Sequence, residues 1–348
     1  MPNDAPIYEY TPYEFGTWDS SNVTEGGFFT PVQWLGSDPD NGTCYHGYDQ
    51  LSFITGVSAT LFNQLPFDAS TLFPNASFPF LDKNTSSVAT VPNPFEGYNG
   101  TENPDPTDTN LTLVDAGETN QNVPLLPLLT PERKVDAILA FDASGDTDLT
   151  WPNGDALYTT YTQLRNNTDF LMPAVPSPNG FINGGYNTRP TFFGCNDDEA
   201  KKPLIVYIPN YPYSAMTNIS TFTFQQAKNL TGLQLESTMK TVTLDGASAA
   251  WPTCLACALT DRANGYTSAN RSELCTKCFS AFCWNGDDNT TTPATYAPAI
   301  GVPEFIKNLN LTLPKNASTT DKGNSASALS AGKALVALAA GVAAWAAV

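Results

Sequence analysis

Apolar positions along the chain follow two different periods. From Asp49 to Leu65 they fall at Leu51, Ile54, Phe62 and Leu65, with Val57 and Leu61 between them. That spacing predicts a helix with Asp49 as its N-cap. Leu157, Tyr161 and Leu164 mark a second helix starting near Asn153. Two continuous apolar runs, residues 135–141 (VDAILAF) and 204–208 (LIVYI, stopped by Pro209), predict buried strands, and residues 111–114 (LTLV) a shorter one. Such strands interleaved with helices indicate an α/β fold whose sheet is covered on both faces. Residues 1–45 read as irregular and aromatic-rich, and residues 66–108, rich in Pro and Asn, as a long surface excursion. Residues 287–325 read as a linker or stalk. There is no internal repeat and no heptad pattern.

Composition narrows the setting. The 348 residues carry 16 Lys+Arg against 34 Asp+Glu, a net charge of −18, and only 14% are charged, against roughly 25% in an average soluble domain. Nucleic acid is excluded as a partner, because its phosphates demand a basic surface. Polarity rests on Asn, Ser and Thr, and thirteen Asn occupy Asn-x-Ser/Thr sequons: Asn22, Asn41, Asn75, Asn84, Asn99, Asn110, Asn166, Asn218, Asn229, Asn270, Asn289, Asn310 and Asn316. Thirteen along the whole length predict a secreted or cell-surface glycoprotein. The first residues, Met-Pro-Asn-Asp-Ala-Pro, have no basic start and no apolar core of a signal peptide, so the natural beginning is expected to lie upstream.

The seven cysteines are Cys44, Cys195, Cys254, Cys257, Cys275, Cys278 and Cys283. Cys254-x-x-Cys257 and Cys275-x-x-Cys278 fit the spacing of a four-thiolate zinc site. In an oxidising compartment the same residues form disulfides, and the sequons favour that reading. The odd count leaves one thiol free or paired outside the chain. At the far end, the small residues Gly323-Asn324-Ser325-Ala326, a short spacer and an uncharged run at 334–348 (ALVALAAGVAAWAAV) match a GPI-attachment signal, with Asn324 as acceptor. Fifteen residues are short of the roughly 20 that a spanning helix needs.

Candidate chemistry is sparse. No Gly-x-Ser-x-Gly nucleophile elbow occurs, and His46, in a loop-like run, is the only histidine, so a Ser-His-Asp triad has no other histidine to draw on. The sharpest feature is a strand ending in Asp115-Ala116-Gly117, followed by Asn122-Val123-Pro124. It sets a carboxylate at a sheet edge, where α/β enzymes assemble their sites. Asp142 and Asp146, after the run at 135–141, are weaker candidates for the same edge. Phe28 and Phe29, beside Gly26-Gly27, suit core packing better than insertion into lipid.

Several of these motifs occur together in a known family. Tyr13-Glu14-Phe15-Gly16-Thr17-Trp18-Asp19, Leu61-Phe62-Asn63-Gln64, residues 113–125, Pro131-Glu132-Arg133, Trp151-Pro152-Asn153-Gly154, Arg189 through Cys195, Trp251-Pro252-Thr253-Cys254 and Cys275 through Gly286 resemble the fungal lysophospholipase, or phospholipase B, family. The resemblance runs over about residues 6–286 and is to the C-terminal half of that family's catalytic domain. It implies an α/β fold, part of a three-layer mixed-sheet sandwich resembling the cytosolic phospholipase A and patatin catalytic domains. The organisation expected from it is 1–286 as the C-terminal portion of the catalytic domain (Cys-rich at 251–283), 287–325 as stalk and 326–348 as GPI-signal tail.

The resemblance implies hydrolysis of lysophospholipid or phospholipid esters by a Ser–Asp dyad, without histidine, metal or organic cofactor. Asp115 matches the dyad's base, Gly117 lets the chain turn beneath the carboxylate, and Asn122 braces the turn. Where the family usually has Asp-Gly-Gly-Glu-Asp, this chain has Asp115-Ala116-Gly117-Glu118-Thr119, and the Cβ of Ala116 disfavours a positive φ. The family's Gly-rich oxyanion loop and Gly-x-Ser-Gly nucleophile have no match in these 348 residues. The competing expectations are a GPI-anchored surface glycoprotein of the same family without catalysis and, more remotely, a zinc-ribbon module at 251–283.

Overall fold

A computed structural model describes residues 6–18, 27–38, 43–44, 47–48, 50–58, 60, 88–101, 103–119, 122–165, 171–220, 223 and 226–311. The chain divides into two compact units, Met1–Pro127 and Leu128–Val348.

The first unit begins with a three-stranded antiparallel sheet: β1 (Tyr8–Tyr10), β2 (Glu14–Thr17) and β3 (Phe28–Pro31), in that order. Thr11 fastens the β1–β2 turn, its hydroxyl accepting from the amides of Tyr13 and Glu14 at 3.2 and 3.0 Å. After a short 3-10 turn (Val32–Trp34), β4 (Ser37–Asp38) pairs with β5 (Thr43–Cys44), and helix α1 spans Leu51–Ser58. Of the remainder of the helix expected from Asp49 to Leu65, only Gln50 and Thr60 are among the described residues. β6 (Ala89–Pro92) and β7 (Asn110–Leu113) form a separate antiparallel pair.

The core of this unit is aromatic. Phe15, Phe28 and Phe95 meet with Leu35, Val57, Val91 and Leu111, and the Phe28 ring stands edge-on to Phe95 at 4.8 Å. Phe28 is therefore a core residue, as its pattern suggested. Residues 93–108 are less of a surface excursion than their composition implied. Buried Asn93 donates to the carbonyls of Asp105 and Asp108, and buried Asn103 donates to that of Phe95. These amides replace the ladder partners that the loop backbone lacks.

The second unit holds a mixed sheet of β8 (Ala137–Asp142), β9 (Thr191–Phe193) and β10 (Leu204–Pro209), ordered β8-β10-β9. β10 runs parallel to β8 and antiparallel to β9. Its six residues are all buried, as expected for a central strand covered on both sides, whereas alternate residues of β8 are partly open. Leu204, Val206 and Ile208 pack with Trp251, Leu255, Phe279 and Phe282. On the opposite face Tyr207 meets Phe181 at 5.2 Å between ring centres.

The helices are α2 (Asp155–Leu164), α3 (Pro178–Asn183), α4 (Lys228–Thr243), α5 (Trp251–Thr260), α6 (Glu273–Phe282) and α7 (Glu304–Lys307). α2 starts two residues past Asn153 and buries Ala156, Leu157, Thr160 and Leu164, one stripe of its surface. Helix α3 thus lies on one face of the sheet and α5 with α6 on the other. Among the described residues, no helix is long and apolar enough to cross a membrane.

Three disulfides close the cysteine-rich region: Cys254–Cys278 and Cys257–Cys275 join α5 to α6, and Cys195–Cys283 ties the end of α6 to the segment after β9. The four Cys-x-x-Cys thiols are thereby committed to bonds between the motifs, which removes the zinc-ribbon reading. Cys44 sits in β5. A buried charge cluster reinforces the same region. The Asp261 carboxylate accepts from Arg262 and Arg271 at 2.8 Å each, and the two guanidinium groups donate onward to the carbonyls of Gly194, Cys195 and Lys202.

Residues 287–311 are packed on the second unit rather than free as a stalk. Asp288 accepts from the hydroxyl of Ser177, and Asn183 donates to the carbonyls of Asn289 and Thr291. Tyr211 donates to Ala299, and Ile306 is 1% exposed in the core. The polar composition of 287–301 hid this, because that stretch is fastened by hydrogen bonds, while Val302, Phe305, Ile306, Leu309 and Leu311 pack on the core. Asn99, Asn110, Asn229, Asn270, Asn289 and Asn310 are exposed, and Asn218 donates to the Thr150 hydroxyl. Asn22, Asn41, Asn75, Asn84, Asn166, Asn316, the Asn324 attachment site and the 334–348 tail lie outside the described residues.

Candidate active site

The strand β7 carries the chain to Val114 and Asp115, where a 3-10 helix, Ala116–Thr119, begins at once. An aspartate before such a turn accepts readily from an amide two residues on. Here the Gly117 amide donates to Asp115 Oδ1 at 2.6 Å, and the Glu118 amide donates to the Asp115 carbonyl at 3.1 Å. The backbone is fixed from the other side by Thr60. Its carbonyl accepts from the Asp115 amide at 3.1 Å, and its hydroxyl donates to the Val57 carbonyl at 2.7 Å and the Leu113 carbonyl at 3.3 Å. Thr60 thus ties the end of α1 to the end of β7, immediately before the carboxylate. Nothing in its local sequence marks it, because the link spans more than fifty residues.

Gly117 serves by its size. Its φ is not positive, so no left-handed turn is made there. A Cβ at that position would stand 3.0 Å from both Asp115 Oδ1 and Asn122 Oδ1, so the glycine lets the carboxylate and the Asn122 amide close on the turn. The expected role of a sharp turn at Gly117 is corrected to one of close approach. The same geometry resolves the departure at Ala116. That residue is right-handed, and a 3-10 helix accepts its Cβ without strain.

Asp115 is half-buried. Partial burial pushes its carboxyl above the ordinary carboxylate range, and the Gly117 amide, by favouring the charged form, pulls part of the way back. A carboxylate made more basic while held in one orientation is suited to accepting a proton from a hydroxyl.

The other carboxylates differ. β7 pairs with β6, whereas β8 belongs to the three-stranded sheet of the second unit, so Asp142 and Asp146 do not share a sheet edge with Asp115. Asp142 is 2% exposed and accepts from the Tyr207 hydroxyl at 2.8 Å and the Ser144 amide at 3.0 Å, which identifies it as a structural group. His46 lies outside the described residues. No group of three or more metal-ligating side chains is present among those described.

The family pattern described as the lysophospholipase catalytic domain matches residues 1–289. The chain is 48% identical to Phospholipase B of Cryptococcus neoformans var. grubii, over 97% of this chain and 57% of the relative. It is 42% identical to Lysophospholipase 1 of Aspergillus fumigatus, over 85% of this chain and 50% of that protein. Lysophospholipase of Penicillium chrysogenum shares 40% identity over 85% of this chain and 52% of its own length. The chain therefore spans between 50% and 57% of the length of these relatives. No solved structure matches. With the pattern running through both units and beyond the last cysteine, this chain belongs to the family of lysophospholipase catalytic domains.

Proposed function

We propose that this chain carries the aspartate half of a Ser–Asp dyad that hydrolyses the acyl esters of lysophospholipids, and of diacyl phospholipids by the same chemistry. The fold proposed with it is that of the cytosolic phospholipases A and patatins, for which the helix–sheet–helix layering of the second unit is support. The observation that carries the reading is Asp115: a half-buried carboxyl with raised proton affinity, held by the Gly117 amide within the family's motif. In the proposed reaction Asp115 takes the proton of a serine hydroxyl as the oxygen attacks the ester carbonyl. It then returns that proton to the departing glycerol oxygen, leaving an acyl-serine that water cleaves by the reverse sequence. A positioned base of this kind contributes about 10²–10⁴-fold in rate. The serine and the oxyanion donors are assigned to the part of the relatives' length that this chain does not span.

The test compares residues 1–348 with a version extended by that missing part, both assayed on lysophosphatidylcholine. The short chain should show no turnover above background, since loss of even one oxyanion donor costs roughly 10²–10³-fold. The extended protein should be active, should lose activity on Asp115→Ala and should keep it on His46→Ala. Hydrolysis by the short chain, or inactivation by His46→Ala, would refute the dyad. An inactive extended protein would favour the non-catalytic surface glycoprotein. Retention at the cell surface through a glycolipid on Asn324 is proposed with this function, and release from intact cells by a phosphatidylinositol-specific phospholipase tests it.

A further inference from the structure

The β1–β2 turn and the 3-10 turn after β3 emerge at the same end of the first sheet, because Glu14 lies opposite Pro31 and the Val32 amide donates to the Tyr13 carbonyl at 3.0 Å. Each turn presents one aromatic ring to solvent: Tyr13 is 82% exposed and Trp34 is 57% exposed. The rings are presented on a fastened backbone. The Thr11 hydroxyl holds the first turn, accepting from the Tyr13 and Glu14 amides and donating to the Glu14 carbonyl; the second is pinned by buried Leu35, whose amide donates to the Val32 carbonyl at 3.1 Å. Their exposed neighbours are Pro12, Pro31 and Gln33, and no charged residue occurs from Phe28 to Gly36. Glu14 is the charge at the margin.

We propose that this end of the sheet docks on a zwitterionic phospholipid surface, with Tyr13 and Trp34 lying at the depth of the headgroups. The inference rests on the lipid-ester reading above, and the chemistry of the patch selects the surface. Tyr and Trp pair an apolar ring with one polar atom, which suits the boundary between headgroups and acyl chains. An uncharged patch on a chain of net charge −18 gains nothing from an anionic bilayer and is repelled by it. Rigid presentation lowers the entropy lost on docking. Phe28 takes no part in this patch, being buried against Phe95 as its sequence pattern suggested.

Vesicles of phosphatidylcholine brominated on the acyl chains test the proposal without any turnover, so an inactive enzyme and an idle patch give different results. The full chain should show tryptophan quenching on the vesicles. Trp34→Phe, which keeps the apolar ring and removes the reporter, should lose the part due to this patch, while Trp345 in the tail is common to both. Tyr13→Ser with Trp34→Ser should weaken partitioning at least about ten-fold, since two rings are withdrawn from the interface. The thermal unfolding midpoint should be unchanged. Equal quenching in Trp34→Phe, equal partitioning of the double variant, or absence of binding by the parent chain would overturn the proposal. A double variant that alters only self-association would overturn it too, by showing that the patch meets protein.

Discussion

Replacing Gly117 with alanine tests whether the carboxylate of Asp115 is held by close approach. The new Cβ would meet Asp115 Oδ1 and Asn122 Oδ1 at 3.0 Å each, so both must yield by a few tenths of an ångström. The Asp115 backbone has little freedom to do so, because its amide is bonded to Thr60 and its carbonyl to Glu118. The carboxylate must rotate instead, stretching the 2.6 Å bond from the Gly117 amide. A hydrogen bond to a charged group contributes about 1.5–3 kcal/mol, and weakening it by a third to a half costs the ionised form roughly 1 kcal/mol. The carboxyl pKa should rise further, since one unit corresponds to about 1.4 kcal/mol.

Misplacing a reacting group by about 1 Å costs on the order of 10²-fold, so a displacement of a few tenths predicts roughly ten-fold in kcat with KM little changed. The assay is lysophosphatidylcholine hydrolysis by the extended protein as a function of pH. Urea unfolding of the 348-residue chain serves as the structural control and should shift by no more than about 1 kcal/mol. A kcat within two-fold of the parent, with the acid limb unmoved, would show that the Gly117 contact does not set the position of Asp115.

Two further outcomes are expected. Because the base must be ionised, kcat/KM of the extended enzyme should be full above the raised pKa of Asp115 and fall as pH drops through it, at a pH above the ordinary aspartate value of about 3.9; an acid limb at or below that value contradicts the burial argument. The same shift makes folding favour the protonated carboxyl, so its contribution to stability is present below the unfolded pKa and lost as pH rises through the folded one. Asp261→Asn should cost about 3–5 kcal/mol in denaturant unfolding with disulfides intact, since Arg262 and Arg271, with side chains 5% and 6% exposed, would lose their shared carboxylate; a loss below 1 kcal/mol would show that the carbonyls of Gly194, Cys195 and Lys202 suffice.

Features decided within a few residues were legible in the sequence. The continuous apolar run at 204–208 became the fully buried β10, because a central strand needs apolar side chains on both faces. The stripe of Leu157 and Leu164 became α2, and Asp115-x-Gly117 became a strand end with an amide-bonded carboxylate, a contact between residues two apart. Tertiary structure alone decided what depended on distant partners. It placed β7 in its own pair while β8 joined β10, paired each Cys-x-x-Cys with the opposite motif, and drew residues 287–311 onto the second unit. It buried Phe28 while leaving Tyr13 and Trp34 in solvent, though all three belong to one aromatic-rich stretch. Thr60 fastens Asp115 on the same terms. Periodicity records which face of an element is apolar, whereas the partner of that face is fixed only when chain segments far apart in sequence compete to fill the same core.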